Sequence, residues 1–292
     1  MYSGSLVAIV TPMRPDGSVD FAAWTRLLDF HLENGTRGIV VAGTTGESAT
    51  LSDSELHELA KRASEHVRRK MLIVAGAGTS STATTVARAR SLSELPIDAL
   101  LVVTPAYVRP TQEGLFLHYS AVAEASRLPV ILYNVPTRTA VDMLPQTVAR
   151  LARVPNIKAV KEAVPEVARV RALREACGDG FFVLSGDDAS ARETLLAGAH
   201  GVISVTANVA PRGMADLVAA ARAGDRAAAE RIDAPLAALH RDLFVEGNPI
   251  PVKWALRQMG RIEGGIRLPL TELSVGYHAR LAASLRAAGV LK

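Results

Sequence analysis

The amino-acid sequence predicts a closed (β/α)8 barrel of the α/β class, followed by a C-terminal helical extension. Short apolar runs alternate along the chain with longer amphipathic segments, and about 220 residues hold eight such alternations. A (β/α)8 barrel typically takes around 250 residues. A doubly wound open sheet has the same local pattern and is the main alternative. The count of eight favours the barrel.

The predicted strands are short, nearly all apolar, and bounded by glycine, proline or polar residues. Strands that are buried on both faces of a parallel sheet have this composition. They cover residues 6–10, 38–41, 72–75, 99–103, 130–133, 157–161, 181–184 and 201–205.

Amphipathic helices are predicted between these strands, over residues 21–34, 56–68, 84–92, 114–125 and 167–176. Ser52 precedes Glu55 by three positions, as in a capping box, and Pro145 and Pro165 suit first helical turns. Beyond the barrel, Ala-rich stretches around 227–243, 251–259 and 277–288 are typical of helices. We therefore expect a barrel over residues 1–224 and a helical extension over residues 225–292.

Composition restricts the class of protein. The formal net charge of the 292 residues is only +4, and no long basic run indicates a nucleic-acid surface. Cys177 is the single cysteine, so an intrachain disulfide is impossible and nothing argues for secretion. The amino terminus lacks a signal-peptide pattern, and no apolar run approaches the roughly 20 residues that span a bilayer. We expect a soluble, cytoplasmic protein.

Lys161 is the first candidate for chemistry. In a (β/α)8 barrel the reactive groups lie at the carboxyl ends of the strands, and Lys161 ends the predicted strand 157–161. Burial there would favour the neutral amine, which can attack a ketone and form an imine. A strand-end lysine paired with Glu162 or another carboxylate is the structural alternative, and position alone leaves both open.

Two further strand ends carry polar side chains. Tyr133 ends a strand and could relay protons, while Arg138 in the following turn offers a planar fork that suits a carboxylate. Thr44 and Thr45 lie in a Gly-rich turn that could cradle an anion. A packed aromatic residue, a solvated arginine and an ordinary turn are the alternatives. Asp187 could contact substrate or cap the next helix.

Other signals are weak. Gly76 and Gly78 resemble the start of a dinucleotide fingerprint, but Ser81 stands where the third glycine belongs, so a nucleotide-dependent oxidoreductase is a minor option. The seven histidines show no metal-ligand spacing, and we expect no metal site.

Together these segments resemble the dihydrodipicolinate synthase family in order and spacing, from about Gly4 to the carboxyl terminus. The matching segments are residues 43–48, 133–139, 157–162, 184–188, 201–208 and 248–253. The resemblance implies a lyase of the class I aldolase type and favours the imine interpretation of Lys161. Pyruvate on Lys161 would become an enamine and attack L-aspartate 4-semialdehyde, giving 4-hydroxy-tetrahydrodipicolinate in diaminopimelate and lysine biosynthesis.

The resemblance also implies residue roles. Thr44 and Tyr133, with Tyr107 from a neighbouring subunit, would form a proton relay. Thr45 would hold the pyruvate carboxylate and Arg138 the semialdehyde carboxylate.

Three more residues, Gly186, Asp187 and Ile203, match positions that line the site. No metal or organic cofactor would be needed, because the imine on Lys161 serves as the electron sink. The family implies a homotetramer arranged as a dimer of dimers.

Alternatives within the superfamily are N-acetylneuraminate lyase and the 2-keto-3-deoxy sugar acid aldolases, which share the imine lysine and the tyrosine. Arg138 and Tyr107 favour the synthase, because a carboxylate-bearing aldehyde needs the arginine. A non-catalytic barrel that acts as a ligand sensor or scaffold is the alternative from another class, and retention of the catalytic residues argues against it.

One departure from the family pattern concerns inhibition by lysine. Many members bind lysine at an interface site lined by a histidine, an asparagine, a glutamate and a tyrosine. The matching residues are Asp53 or Leu56, Ser80, Thr84 and Ala106. Thr84 and Ala106 supply neither a carboxylate nor an aromatic wall, so we expect weak or absent inhibition by lysine.

Overall fold

A computed structural model describes residues 2–291 and contains a closed barrel of eight parallel strands. Each strand pairs with the next in the chain, and the eighth closes the barrel against the first. The strands are β1 (Gly4–Ala8), β2 (Gly38–Val41), β3 (Leu72–Gly76), β4 (Ala99–Val103), β5 (Val130–Asn134), β6 (Ile157–Glu162), β7 (Phe182–Ser185) and β8 (Gly201–Ser204). The predicted fold is confirmed.

Helices cover the outside of the barrel, where the first eight lie between consecutive strands and the ninth follows the last strand. They are α1 (Phe21–Glu33), α2 (Asp53–Val67), α3 (Thr82–Leu92), α4 (Gln112–Ala125), α5 (Pro136–Thr139), α6 (Pro145–Leu151), α7 (Val167–Cys177), α8 (Ala191–Leu196) and α9 (Pro211–Arg222). Ser52 and Glu55 form the predicted capping box, and Pro145 begins α6. The assignment of Pro165 to a first turn is wrong, since α7 begins two residues later.

The chain beyond the barrel forms α10 (Arg226–Asp233), α11 (Ala237–Asp242), α12 (Ile250–Gln258) and α13 (His278–Ala287). The start of α12 lies against the carboxyl-terminal rim of the barrel, next to a short 3-10 turn at Thr206–Asn208. Within residues 2–291, none of the helices combines the length and the apolar composition of a membrane-spanning segment.

Apolar side chains form two layers, one inside the barrel and one between the strands and the helices. In β6, Ala159 faces the inside and Val160 the outside, as strand alternation requires. Ile157 departs from the expected alternation and packs in the outer layer. The reason is a register shift between β5 and β6, which pairs Val130 with Ile157 but Ile131 with Ala159.

Candidate active site

A cavity of about 500 Å³ opens at the carboxyl-terminal end of the barrel. Seven of the nine predicted site residues line it, namely Thr44, Thr45, Tyr133, Arg138, Lys161, Gly186 and Asp187. They come from the ends of four strands that are far apart in the sequence, and the closure of the barrel brings them together.

Lys161 lies in the wall of this cavity and is only 5% exposed. The pairing of β5 with β6 places Tyr133 beside Lys161, and the Lys161 Nζ atom lies 4.3 Å from the centroid of the Tyr133 ring. Gly186 leaves room for the lysine, because a Cβ atom there would come within 3.0 Å of Lys161 Cε. A side chain at position 186 would therefore require Lys161 to shift.

Glu162 does not pair with Lys161, so the structural alternative for the lysine is wrong. The Glu162 carboxylate accepts hydrogen bonds from the Asn134 side chain (3.0 Å) and from the Val164 amide (2.9 Å), with Arg169 at 3.4 Å. Burial raises the pKa of Glu162 to about 7. Among residues 2–291, no carboxylate forms an ion pair with the amine of Lys161.

The turn after β2 presents Thr44 and Thr45 to the cavity. The Asn248 side-chain amide donates a hydrogen bond of 2.9 Å to Thr45 Oγ1. Ala42 and Glu47, at the two ends of this turn, adopt a left-handed backbone with φ 50° and φ 59°. This conformation is uncommon for residues other than glycine.

Gly76 packs closely against this turn, and Gly78 packs closely against β4. A Cβ atom at Gly76 would lie 2.1 Å from the Ala42 carbonyl oxygen, and one at Gly78 would lie 2.6 Å from the Val103 nitrogen. These glycines therefore serve close packing of backbone segments, and the dinucleotide interpretation has no support here.

Arg138 lies on α5, in the loop that follows β5, and its side chain borders the cavity. Its Nη2 atom donates a hydrogen bond of 3.2 Å to the main-chain oxygen of Asn248. The guanidinium carries five N–H donors, so several stay available for an anionic substrate.

Asp187 and Asp188 are neighbours in sequence but make different contacts. Asp187 lines the cavity, and its Oδ2 accepts hydrogen bonds from the Ser190 amide (2.8 Å) and hydroxyl (2.6 Å). Asp188 is buried, and its Oδ2 accepts hydrogen bonds from the amides of Val205 and Thr206, which fixes the loop after β8.

Two predicted site residues do not line the cavity. Ile203 belongs to β8 and packs inside the barrel, in the same apolar layer as Tyr133 and Ala159. Tyr107 lies in the loop after β4, is 93% exposed, and adopts a left-handed backbone at φ 72°. The cavity of this chain therefore does not include Tyr107.

The chain is similar to known proteins over nearly its whole length. The sequence profile of the Dihydrodipicolinate synthetase family matches residues 1–288. The chain belongs to this family. The 4-hydroxy-tetrahydrodipicolinate synthases of Methylococcus capsulatus and Pseudomonas aeruginosa are 52% and 51% identical over 291 residues, which is 100% of each chain.

Solved structures give the same result. The chloride-inhibited dihydrodipicolinate synthase of Acinetobacter baumannii, solved with pyruvate, is 47% identical, covers 100% of both chains and superposes with a TM-score of 0.98. The synthase of Cyanidioschyzon merolae, solved with lysine bound, is 37% identical, covers 99% of both chains and has a TM-score of 0.96. The predicted family, the barrel fold, the assignment as a lyase and the synthase function are confirmed.

Outside the barrel loops, the cavity of this dihydrodipicolinate synthetase family member is lined by Phe244, Glu246, Gly247 and Asn248, none of which the strand ends single out. All four belong to the segment between α11 and α12, far in sequence from the barrel strands. Asn248 lies in one of the segments that resemble the family, and that was the available signal. The strand-end rule searches only the barrel loops and so could not select it.

Within residues 2–291, no group of three or more His, Cys, Asp or Glu side chains is arranged to hold a metal ion. The expectation that the enzyme works without a cofactor stays a prediction.

Proposed function

We propose that Lys161 is the imine-forming residue of a 4-hydroxy-tetrahydrodipicolinate synthase. The observation that carries the proposal is the position of its amine, which is buried in the cavity wall, lies beside the Tyr133 ring and has no carboxylate partner among the described residues. A lysine amine held in this way is available as a nucleophile.

The reaction begins when the amine attacks the ketone carbon of pyruvate. Loss of water from the carbinolamine gives the imine, and loss of a proton from the methyl carbon gives the enamine. The enamine carbon then attacks the aldehyde carbon of L-aspartate 4-semialdehyde. The amino group of that substrate finally displaces the lysine, which closes the ring and frees the enzyme. Several protons move during these steps, and Thr44, Tyr133 and Tyr107 relay them.

Each substrate carboxylate has its own binding group. Thr45 and the backbone amides of its turn bind the carboxylate of pyruvate, close to Lys161. Arg138 binds the carboxylate of the semialdehyde at the outer part of the cavity. Asp187 borders the substrate, and Ile203 closes the apolar wall behind it.

The active enzyme is a homotetramer in the cytoplasm, built as a dimer of dimers. Tyr107 is exposed in the single chain and lies outside its cavity. This supports the assembly, because a tyrosine that relays protons has to reach an active-site cavity, and the cavity that Tyr107 would enter belongs to a neighbouring subunit. Residues 1–224 form the catalytic barrel, and residues 225–292 form an extension that supports its rim. The imine on Lys161 supplies the electron sink, so no metal or organic cofactor takes part.

Trapping with sodium borohydride tests the proposal. The protein is incubated with pyruvate and borohydride, digested and analysed by mass spectrometry, with Lys161→Ala as the control. A reduced pyruvate adduct on the peptide that contains Lys161, absent from the control, is the expected result. A folded protein that gives no adduct would contradict the mechanism and favour a sensor or scaffold.

The second substrate is tested on the same preparation. Pyruvate consumption is followed with L-aspartate 4-semialdehyde and, separately, with N-acetylmannosamine or glyceraldehyde. Turnover with the semialdehyde alone is expected. Turnover with a polyhydroxylated aldehyde instead would assign the chain to the sugar-acid aldolases.

A further inference from the structure

A buried ion pair connects the turn that carries Thr44 and Thr45 to the C-terminal extension. The Lys253 ammonium on α12 contacts the Glu47 carboxylate, and their side chains are 5% and 0% exposed. The second carboxylate oxygen of Glu47 accepts a hydrogen bond of 3.1 Å from the Arg267 amide. Both oxygens of Glu47 therefore contact the extension.

The backbone of Glu47 needs such support. Its φ of 59° is left-handed, a conformation that costs free energy for a residue with a Cβ atom. Its amide donates a hydrogen bond of 3.1 Å to the Thr44 carbonyl, so the conformation of Glu47 and the position of Thr44 are coupled. A rotation that relaxed Glu47 would break this bond and move the turn.

The same part of the extension contacts the turn a second time. Asn248 lies five residues before Lys253, at the entry to α12, and its amide is bonded to Thr45 Oγ1. The two links hold two residues of the turn, Thr45 and Glu47, against the start of one helix. A shift of α12 would thus be transmitted to both.

We propose that the Glu47–Lys253 ion pair is a positioning element of the active site, which holds the hydroxyl groups of Thr44 and Thr45 toward the substrate. Neither Glu47 nor Lys253 lines the cavity, so their effect is exerted through the turn. The inference rests on the proposed function, in which Thr45 binds the pyruvate carboxylate.

Fold stability alone does not account for a buried ion pair at this place. Removing two charges from water costs free energy that their attraction often fails to offset, and apolar residues of similar volume commonly stabilise as well or better. Burial lowers the pKa of Lys253, while the Glu47 carboxylate opposes that shift. Apolar packing would not fix the orientation of the side chain at position 47. The ion pair with Lys253 and the hydrogen bond from the Arg267 amide do fix it, because both are directional.

The test compares Glu47→Gln and Lys253→Met with two matched controls. Glu113→Gln removes an exposed carboxylate that pairs with Arg150 away from the site, and Arg257→Met removes a cation one turn further along α12 whose ion pair with Glu272 is exposed. For each variant, the thermal midpoint is measured first. The KM for pyruvate and kcat are then measured at a temperature at which the variant is fully folded.

We expect the KM for pyruvate to rise about tenfold or more in the Glu47 and Lys253 variants, because Thr45 is displaced, and kcat to fall as well, because Thr44 belongs to the proposed relay. The pyruvate concentration for half-maximal borohydride trapping should rise in parallel. The controls should leave both values within about twofold of wild type. Lys253→Arg retains the cation and should recover most of the loss.

A lowered thermal midpoint with unchanged KM would overturn the proposal, because it would show a purely structural role. Each single variant leaves a buried charge without its partner and could fail to fold. The double variant Glu47→Gln/Lys253→Met carries no such charge, and wild-type KM in that variant would also overturn the proposal. Failure of the wild-type enzyme to trap pyruvate would instead contradict the proposed function, which separates the two failures.

Discussion

The side-chain amide of Asn248 donates a hydrogen bond of 2.9 Å to the hydroxyl oxygen of Thr45, across 203 positions of sequence. Because the Thr45 oxygen accepts this bond, its own proton is free to be donated to an anion in the cavity. The main-chain oxygen of Asn248 also accepts a hydrogen bond from Arg138. One residue of the extension thus contacts both groups that we propose to bind substrate carboxylates.

Asn248→Ala should therefore weaken the binding of both substrates. We expect each KM to rise about tenfold, which corresponds to roughly 1.4 kcal/mol, with a smaller decrease in kcat. Steady-state kinetics with each substrate varied in turn measures the effect. Asn156→Ala is the matched control, since that amide bonds to the carbonyls of Ala123, Ser126 and Leu128 on another part of the barrel. An equal rise in KM in the control would mean that the effect is not specific to the site.

Most of the fold could be predicted from sequence, because burial on both faces gives each barrel strand an uninterrupted apolar run. The same composition does not define where a strand begins and ends. The sequence predicts the first strand over 6–10, whereas it spans Gly4–Ala8, although Ile9 and Val10 are buried. Apolar residues indicate burial and do not indicate whether a residue belongs to the hydrogen-bonded ladder. The register shift before Ala159 has no sequence signal at all.

The candidate site was predictable where it lies at strand ends, and Lys161 and Tyr133 are examples. Asn248 and the Glu47–Lys253 pair could not be found in this way, because they depend on how the extension packs against a turn more than 200 positions away. The role of Gly186 also required coordinates, since a glycine in the sequence does not reveal which side chain it makes room for.

Replacing Arg138 should affect the binding of the semialdehyde and leave the binding of pyruvate nearly unchanged. Arg138→Lys keeps the charge but loses the planar pair of donors, so the KM for the semialdehyde should rise at least tenfold. Borohydride trapping of pyruvate should change by less than about twofold, because Thr45 and Lys161 are intact. The control is Arg150→Lys, whose ion pair with Glu113 lies on the surface. A parallel loss of pyruvate trapping would argue against separate carboxylate sites.

Tyr107→Phe tests whether a neighbouring subunit completes the site. Removal of one hydroxyl from a side chain that is 93% exposed should change the stability of a single chain by no more than about 0.5 kcal/mol. We nevertheless expect kcat to fall about tenfold or more, because a relay group is lost. Tyr277→Phe, a half-buried tyrosine in the extension, should have no such effect.

Analytical ultracentrifugation of the wild type and of Tyr107→Phe shows whether the substitution changes the assembly. Unchanged assembly together with the lower kcat would assign the effect to the hydroxyl. Full activity of the Tyr107→Phe variant would remove Tyr107 from the relay.

Lysine should inhibit this enzyme weakly or not at all. The Asp53 carboxylate is already paired with Arg88 at 2.7 Å, and the Ser80 hydroxyl donates a hydrogen bond to the Ala106 carbonyl. Thr84 supplies no charge for an ammonium group. The expected outcome is unchanged activity with submillimolar lysine in a steady-state assay, and clear inhibition there would contradict the prediction.

A gain of function provides the complementary measurement. Thr84→Glu adds a carboxylate and Ala106→Tyr adds an aromatic wall, the two features that a lysine ligand needs. The double variant should bind lysine more tightly than wild type in calorimetry. Equal binding in both proteins would show that these positions do not determine the sensitivity.

The buried His31 makes the fold sensitive to acid. Burial lowers the pKa of His31 to about 3, and its Nδ1 atom lies 3.0 Å from Thr36 Oγ1. In the unfolded chain the pKa lies near 6.5, so below that pH the unfolded state binds the proton more readily than the folded state. The contribution of His31 is complete above about pH 6.5 and is lost as the pH falls toward about 3, at up to about 1.4 kcal/mol per pH unit.

His31→Asn removes this titration but keeps a polar atom near the hydroxyl of Thr36. The variant will be less stable at neutral pH, because the smaller side chain leaves space in the core. The slope of unfolding free energy against pH is therefore the informative quantity. Urea unfolding at fixed protein concentration, from neutral pH to about pH 4, should give a slope shallower than wild type by roughly 1 kcal/mol per pH unit. Equal slopes in the two proteins would mean that His31 does not contribute to the loss of stability in acid.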